Sequence, residues 1–341
     1  MRIYLIEDFK GNSPRASLTL AHRLQKGLIR AGHDVFCFSY RDIQRQYSFF
    51  HYNSFVKIIG KKAALNILVS QIRNYQPDII IFRAAVRKLD EKMIVQAKKA
   101  APNATIVCLS ASMYSEVHPN ILSCAKHANF FISTGAGRNL ERYKKAGIKK
   151  CAYMPYPCDP DLEHHYQVSN EWKSDLLFTG QLDRYLPGQD PMRNELIELL
   201  IRNKGLKTWG CFGNPKICGL DYLYAISGTK IGISINTFNK IKFYHSNRFM
   251  NYIACGTMVL AKYVPDSELL FTDGEHVRYF STKEECLELV DYYLEQEEER
   301  QKIADAGMKR AHSKFNCTAI AQDIIELIIT GSYNKPWAEI F

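Results

Sequence analysis

His245-Ser-Asn-Arg-Phe-Met-Asn-Tyr-Ile-Ala-Cys-Gly-Thr-Met-Val-Leu260 reads as a helix, a stop and a strand. Ser246 is placed to cap a helix over Asn247–Cys255, Gly256 ends it and lets the chain turn tightly, and Met258–Ala261 follows as a buried strand. A helix N-terminus carries unpaired backbone N–H groups and a partial positive charge, so a diphosphate is favoured there. Arg248, in the first turn, adds a guanidinium whose fork matches phosphate oxygens. An amphipathic core helix with an incidental arginine would show the same letters.

Working outward, strands and helices alternate on both sides of this segment. Toward the N-terminus the apolar runs Arg2–Ile6, His33–Ser39, Asp78–Phe82, Thr105–Leu109 and Asn129–Ser133 read as strands, with helices over about 16–31 and 55–75. Tyr153-Met-Pro-Tyr-Pro-Cys-Asp-Pro160 interrupts the rhythm with three prolines, a stiff non-helical connector. A second series follows. Its strands are 175–179, 207–210, 230–235, 258–261 and 277–280, and its helices 192–201, 247–255, 283–295 and 297–314, with a last helix over 317–330. The expectation is an α/β chain of two doubly wound, Rossmann-like domains facing a central cleft, 1–158 and 159–316, with 317–341 packing back on the first. That rhythm alone also fits a dehydrogenase, a periplasmic-type binding protein or a sugar-nucleotide epimerase.

Three segments narrow the choice. Residues 245–260 resemble the R-x-F-E-x-x-A-C-G signature of group 1 glycosyltransferases, specifically the family typified by the spore-maturation glycosyltransferases. Gly147-Ile-Lys-Lys-Cys-Ala-Tyr-Met-Pro-Tyr-Pro-Cys-Asp-Pro160 is similar to the crossing between that family's two domains, and Asp266–Arg310 to its C-terminal stretch. The resemblance implies the GT-B fold, a nucleotide-sugar donor (a UDP-sugar) bound by the second domain, an acceptor bound by the first, no permanently bound cofactor and no metal. It also implies donor roles for Gly180 and Gln181 after the first strand of the second domain, and for Arg193 at the start of the next helix. Asn236, Lys242 and His245 border the same crevice, and Ser246, Asn247 and Arg248 form its phosphate-binding helix tip. Asn251 stands where the family places a glutamate that holds the ribose hydroxyls; it can still bond a diol, without the charge.

Inverting transfer needs a base from the acceptor domain, and Asp8 (with Glu7 beside it), Glu116 and His118 are the candidates; retaining transfer needs none. Asn12, Ser13 and Arg83 are the candidate acceptor contacts.

Charge speaks to the acceptor. Residues 1–158 hold 25 Lys and Arg against 9 Asp and Glu, net +16, whereas 159–341 hold 20 against 26, net −6. So basic a half favours an anionic acceptor. Cations are spread from Lys57 to Lys150, a broad polyanion footprint. Viral DNA glycosyltransferases share the GT-B fold and this size, which points to a hydroxylated DNA base, flipped from the duplex to react. The aromatics and lysines of 47–62 suit a glycan or lipid-linked acceptor at an anionic membrane instead. An epimerase or a non-catalytic nucleotide-sugar-binding protein stays open as well. The N-terminus lacks a signal-peptide core, no apolar run is long enough to span a bilayer, and ten cysteines lack C-x-x-C pairs. Together these imply a reduced, cytoplasmic protein, and no obligate protein partner is implied.

Overall fold

A computed structural model describes residues 1–10, 19–47, 54–83, 90–182 and 186–341, without the side chains of 54–58. The chain divides into two compact units, Met1–Met154 with Ala321–Phe341, and Pro155–Ile320.

The first unit runs β1 (Arg2–Glu7), α1 (Leu20–Arg30), β2 (Asp34–Ser39), α2 (Tyr40–Gln46), α3 (Ser54–Tyr75), β3 (Ile79–Arg83), α4 (Glu91–Ala100), β4 (Thr105–Ser110), α5 (Pro119–Ala125), β5 (Phe130–Ser133), α6 (Arg138–Lys145) and β6 (Cys151–Tyr153). Its six strands are all parallel, in the order β2-β1-β3-β4-β5-β6. Ile3–Ile6 and Ile79–Phe82 are buried, as continuous apolar runs in a sheet covered on both faces must be. Thr19 and Asp90 cap α1 and α4 through their side chains. The short helices α2, α4, α5 and α6 and the three-residue β6 go beyond the elements read from sequence. α6 is mostly charged and buries only Asn139, Leu140 and Tyr143, too thin a stripe to stand out. Residues 339–341 lie antiparallel beside β6, with Cys151 and Phe341 exchanging backbone hydrogen bonds at 2.9 and 2.8 Å and Tyr153 N–H donating to Glu339 O at 2.9 Å.

The second unit runs β7 (Ser174–Thr179), α7 (Met192–Lys204), β8 (Lys207–Trp209), α8 (Leu220–Ser227), β9 (Thr229–Ser234), α9 (Asn247–Ala254), β10 (Met258–Lys262), β11 (Arg278–Phe280), α10 (Lys283–Glu295) and α11 (Glu297–Lys314). Its parallel sheet has the order β11-β10-β9-β7-β8. Leu176, Phe178, Leu196, Leu200, Ile231, Ile233 and Leu260 fill its core. α12 (Cys317–Thr330) begins in this unit and belongs to the first from Ala321 onward. In each sheet the strand order reverses beside the first strand, between β1 and β3 and between β7 and β9. Ligands of open α/β sheets settle at the carboxyl ends of strands beside such a reversal.

Gly307 lets α11 close on its neighbours: a Cβ there would stand 2.5 Å from the His276 carbonyl oxygen. Alanine is the better helix former by about 1 kcal/mol. Even so, Gly307→Ala is expected to lower the unfolding free energy by about 1–3 kcal/mol through overpacking. Urea denaturation checks this, and a stabilised variant would contradict the packing.

Candidate functional site

Two arginines occupy the carboxyl end of the second sheet, where the order reverses. Arg248, in the first turn of α9, is 9% exposed. Its guanidinium donates to the carbonyls of Thr179 (2.8 Å) at the end of β7 and Ile235 (2.6 Å) just past β9, while its Nε has no partner among the described residues. Arg193, in the first turn of α7, donates to Ile235 O (3.3 Å) and Gln181 O (3.2 Å). Both lie over the Phe178 ring, at 4.4 and 5.7 Å. Among the described residues neither has a carboxylate partner. Burial, then the charge of Arg248, pulls the Arg193 pKa down to about 10, and burial lowers that of Arg248. Arg193 therefore stays charged at neutral pH. Buried cations held only by peptide carbonyls are incompletely compensated, which suits them to receive an anion.

Gly180 makes this arrangement possible. A Cβ at that position would stand 2.9 Å from Arg248 Nη1 and 3.2 Å from the Phe178 ring. Gly180 N–H donates to Trp209 O (3.0 Å), tying the ends of β7 and β8 together. Below the strand ends a polar network adds support. Thr179 N–H donates to the Tyr252 hydroxyl (2.9 Å), which also lies 3.0 Å from Thr179 Oγ1. Asn251 donates to the Tyr222 hydroxyl at 3.3 Å. Burial raises the pKa of both phenols, so they stay protonated.

The residues expected at the site divide. Gly180, Gln181, Arg193 and Arg248 come together as described. Ser246 stands at the N-cap of α9 with extended backbone, but its side chain makes no capping bond: Oγ is buried without a partner among the described residues. This corrects the expected side-chain cap. Asn236 takes the Ser246 N–H on its Oδ1 (3.0 Å) and donates to Tyr244 O (3.0 Å). Asn236 is thus a brace for the loop before α9. Lys242 is drawn away into an ion pair with Asp266 (2.9 Å). Asn251, expected to hold a diol, is buried at 1% exposure in the tyrosine network. Asn247 is half-buried at the helix tip. His245 stacks on Phe249 at 3.9 Å, and neither ring nitrogen has a partner among the described residues. Tyr222, Tyr252 and Phe178 were not singled out from sequence, since each reads as ordinary core.

In the first unit, Glu7 and Arg83 meet where the strand order reverses, at 3.3 and 3.4 Å. Burial raises the Glu7 pKa, with Arg83 opposing. Asp8 reaches Arg41 at 3.3 Å. His118 is the N-cap of α5, its Nδ1 accepting from Asn120 N–H (3.3 Å), and Glu116 is exposed. Asn12 and Ser13 lie outside the described residues, as do 48–53 of the aromatic and lysine stretch. Among the described residues no cluster of His, Cys, Asp or Glu is placed to hold a metal ion.

Burial pulls the His245 pKa down to about 3. The unfolded imidazole takes up a proton below about pH 6.5, while the folded one resists until near its lowered value, so stability is lost as pH falls through this window. Between pH 6.5 and 4.5 the loss is about 2 kcal/mol. His245→Phe is expected to remove that component from denaturation curves run across the range; an unchanged acid slope would show that the ring is not buried neutral.

Residues 193–326 match the family model described as "Glycosyl transferase-like". Among curated proteins nothing matches. Solved structures share the fold over nearly the whole chain. The Anabaena protein HepE, solved with UDP and glucose, is 14% identical, with 97% of this chain and 100% of that one covered and a TM-score of 0.61. Sucrose-phosphate synthase from Thermosynechococcus elongatus is 13% identical over 97% and 98%, TM-score 0.62. An alpha-glucosyltransferase solved with UDP and a 13-mer DNA containing a HMU base is 12% identical over 96% and 99%, TM-score 0.59. The segment that matches the family model is thus carried on a two-sheet α/β fold shared with a sucrose-phosphate synthase and an alpha-glucosyltransferase.

Proposed function

We propose that the second unit binds a UDP-sugar with its diphosphate against the tip of α9, facing Arg248 and Arg193, and that the sugar passes to an anionic acceptor held by the first unit. The observation that carries this reading is the pair of buried arginines that have no carboxylate partner among the described residues. In the reaction an acceptor oxygen bonds to the anomeric carbon while the bond from that carbon to the phosphate oxygen breaks. The departing nucleoside diphosphate gains negative charge, and fixed cations there stabilise it more in the transition state than in the donor. Asp8, beside Arg41 at the end of β1, is the carboxylate we assign to the acceptor proton if transfer inverts the anomeric centre. If transfer retains it, a phosphate oxygen of the leaving group takes that proton.

For the acceptor we favour a hydroxylated base in DNA. Support comes from the +16 balance of residues 1–158 and from the shared fold of the alpha-glucosyltransferase solved with UDP and DNA. We place the protein in the cytosol: its ten cysteines are free thiols, and no described helix is long and apolar enough to cross a membrane.

A thermal-shift screen of nucleotide-sugars tests the donor site, because a ligand held only by the folded state at about 100 times its Kd adds about 2.7 kcal/mol. A UDP-sugar is expected to raise Tm, and Arg248→Met to weaken UDP binding about 30-fold, the worth of charged hydrogen bonds of about 2 kcal/mol. Gly180→Ala, which displaces the guanidinium while leaving its charge, is expected to weaken it too. If UDP binds Arg248→Met and Gly180→Ala as tightly as wild type, the diphosphate lies elsewhere. Conversion of the donor without any acceptor would mark an epimerase instead.

A further inference from the structure

We propose that the helical layer α3–α6, on one face of the first sheet, is a docking face for the phosphate backbone of double-stranded DNA. The inference rests on the reading of the acceptor as DNA and adds where the duplex is held.

Strand order assembles this face. The chain steps from β1 to β2 in one direction, crosses back to β3, and then moves the same way through β4, β5 and β6. Right-handed crossovers therefore place α1 on one face and α3, α4, α5 and α6 together on the other. The packing agrees, α3 lying on α4 and α4 on α5. Cations far apart in sequence thus share one surface. Lys61 and Lys62 on α3, Lys98 and Lys99 on α4, and Lys144 and Lys145 on α6 are all exposed.

This surface is not internally neutralised. From Lys61 onward, α3, α4 and α6 carry ten Lys and Arg residues against two Glu, Glu91 and Glu141. Glu91 bonds His127 at 2.7 Å. Among the described residues none of the ten cations pairs with a carboxylate, and Lys144 donates to a carbonyl, that of Lys149. Solvated helix faces usually mix both signs in comparable numbers, whereas this one is weighted strongly toward cations.

Helices packed about 10 Å apart spread the cations over about 30 Å, the length of about nine base pairs at 3.4 Å per phosphate. A bilayer fits less well. Interfacial helices present large apolar side chains beside their cations, yet the one exposed large apolar side chain described on these helices is Ile59, at 46%. Among the described side chains the face is suited to contacting charge along a surface.

Fluorescence anisotropy with a 20-base-pair unmodified duplex, without any nucleotide-sugar, tests this separately from transfer. Binding is expected to weaken steeply with salt, with a slope of about −5 in log K against log salt for six phosphate contacts. Reversing Lys98, Lys99, Lys144 and Lys145 to Glu is expected to weaken binding at least about tenfold and to flatten that slope. Lys302→Glu, an exposed lysine of the second unit, is expected to change neither. Circular dichroism confirms that the variants stay folded. No duplex binding at 50 mM salt would overturn the proposal, as would equal binding by the fourfold variant. Flotation with phosphatidylserine vesicles in the absence of duplex binding would overturn it in favour of a membrane. A protein that binds duplex but no UDP-sugar would keep this face and lose the donor reading; the reverse result would do the opposite.

Discussion

Two guanidinium groups lying against the open ends of β7 and β9 set the terms for the second unit. Each is removed from water, each is repelled by the other, and among the described residues neither has a carboxylate to answer it. Peptide carbonyls at the strand ends return part of the lost hydration, and the face of Phe178 returns a little more. What remains is a positive potential at a fixed place. The fold maintains it because Arg248 and Arg193 each occupy the first turn of a helix that follows a strand end.

Steric permission and polar bracing hold that place open. Gly180 leaves room for Arg248, and the spacing is so close that one methyl group would shift the guanidinium. Asn236 ties down the loop before α9 by accepting the Ser246 N–H, and the helix begins there without a side-chain cap. Phe243, in that loop, adopts a left-handed backbone at φ 60°, as does Asp266 at φ 62° in the segment facing it. Phe243 N–H donates to Pro265 O at 3.1 Å, and Lys242 pairs with Asp266. Two non-glycine residues in that region store strain of order 1–3 kcal/mol each, a cost found where a surrounding structure dictates a particular loop path.

Much of this was legible in the sequence. The strands stood out because buried parallel strands are continuous apolar runs, and β7, β9 and β10 fall within a residue or two of their expected bounds. Arg193 and Arg248 were readable as first-turn arginines after strand–turn segments. Their partners were not. That a guanidinium would settle on the carbonyls of Thr179 and Ile235 depends on which strands neighbour each other, and the order β10-β9-β7-β8 is a property of the folded sheet. Lys242 misled for the same reason: its attraction to Asp266 needs a turn 24 residues on to come back beside it. Charged short helices such as α6 escaped because their apolar stripe is only a few residues wide.

The antiparallel pairing of residues 339–341 with β6 bears on how the chain is made. A ribosome delivers β1 to β6 first and the entire second unit next, and only then the residues that cover the border of the first sheet. At 5–20 residues per second, about 180 intervening residues leave that border uncovered for about 10 to 40 s. An uncovered strand invites pairing with other nascent chains. With just three residues, β6 offers a stranger very little to grasp while it waits.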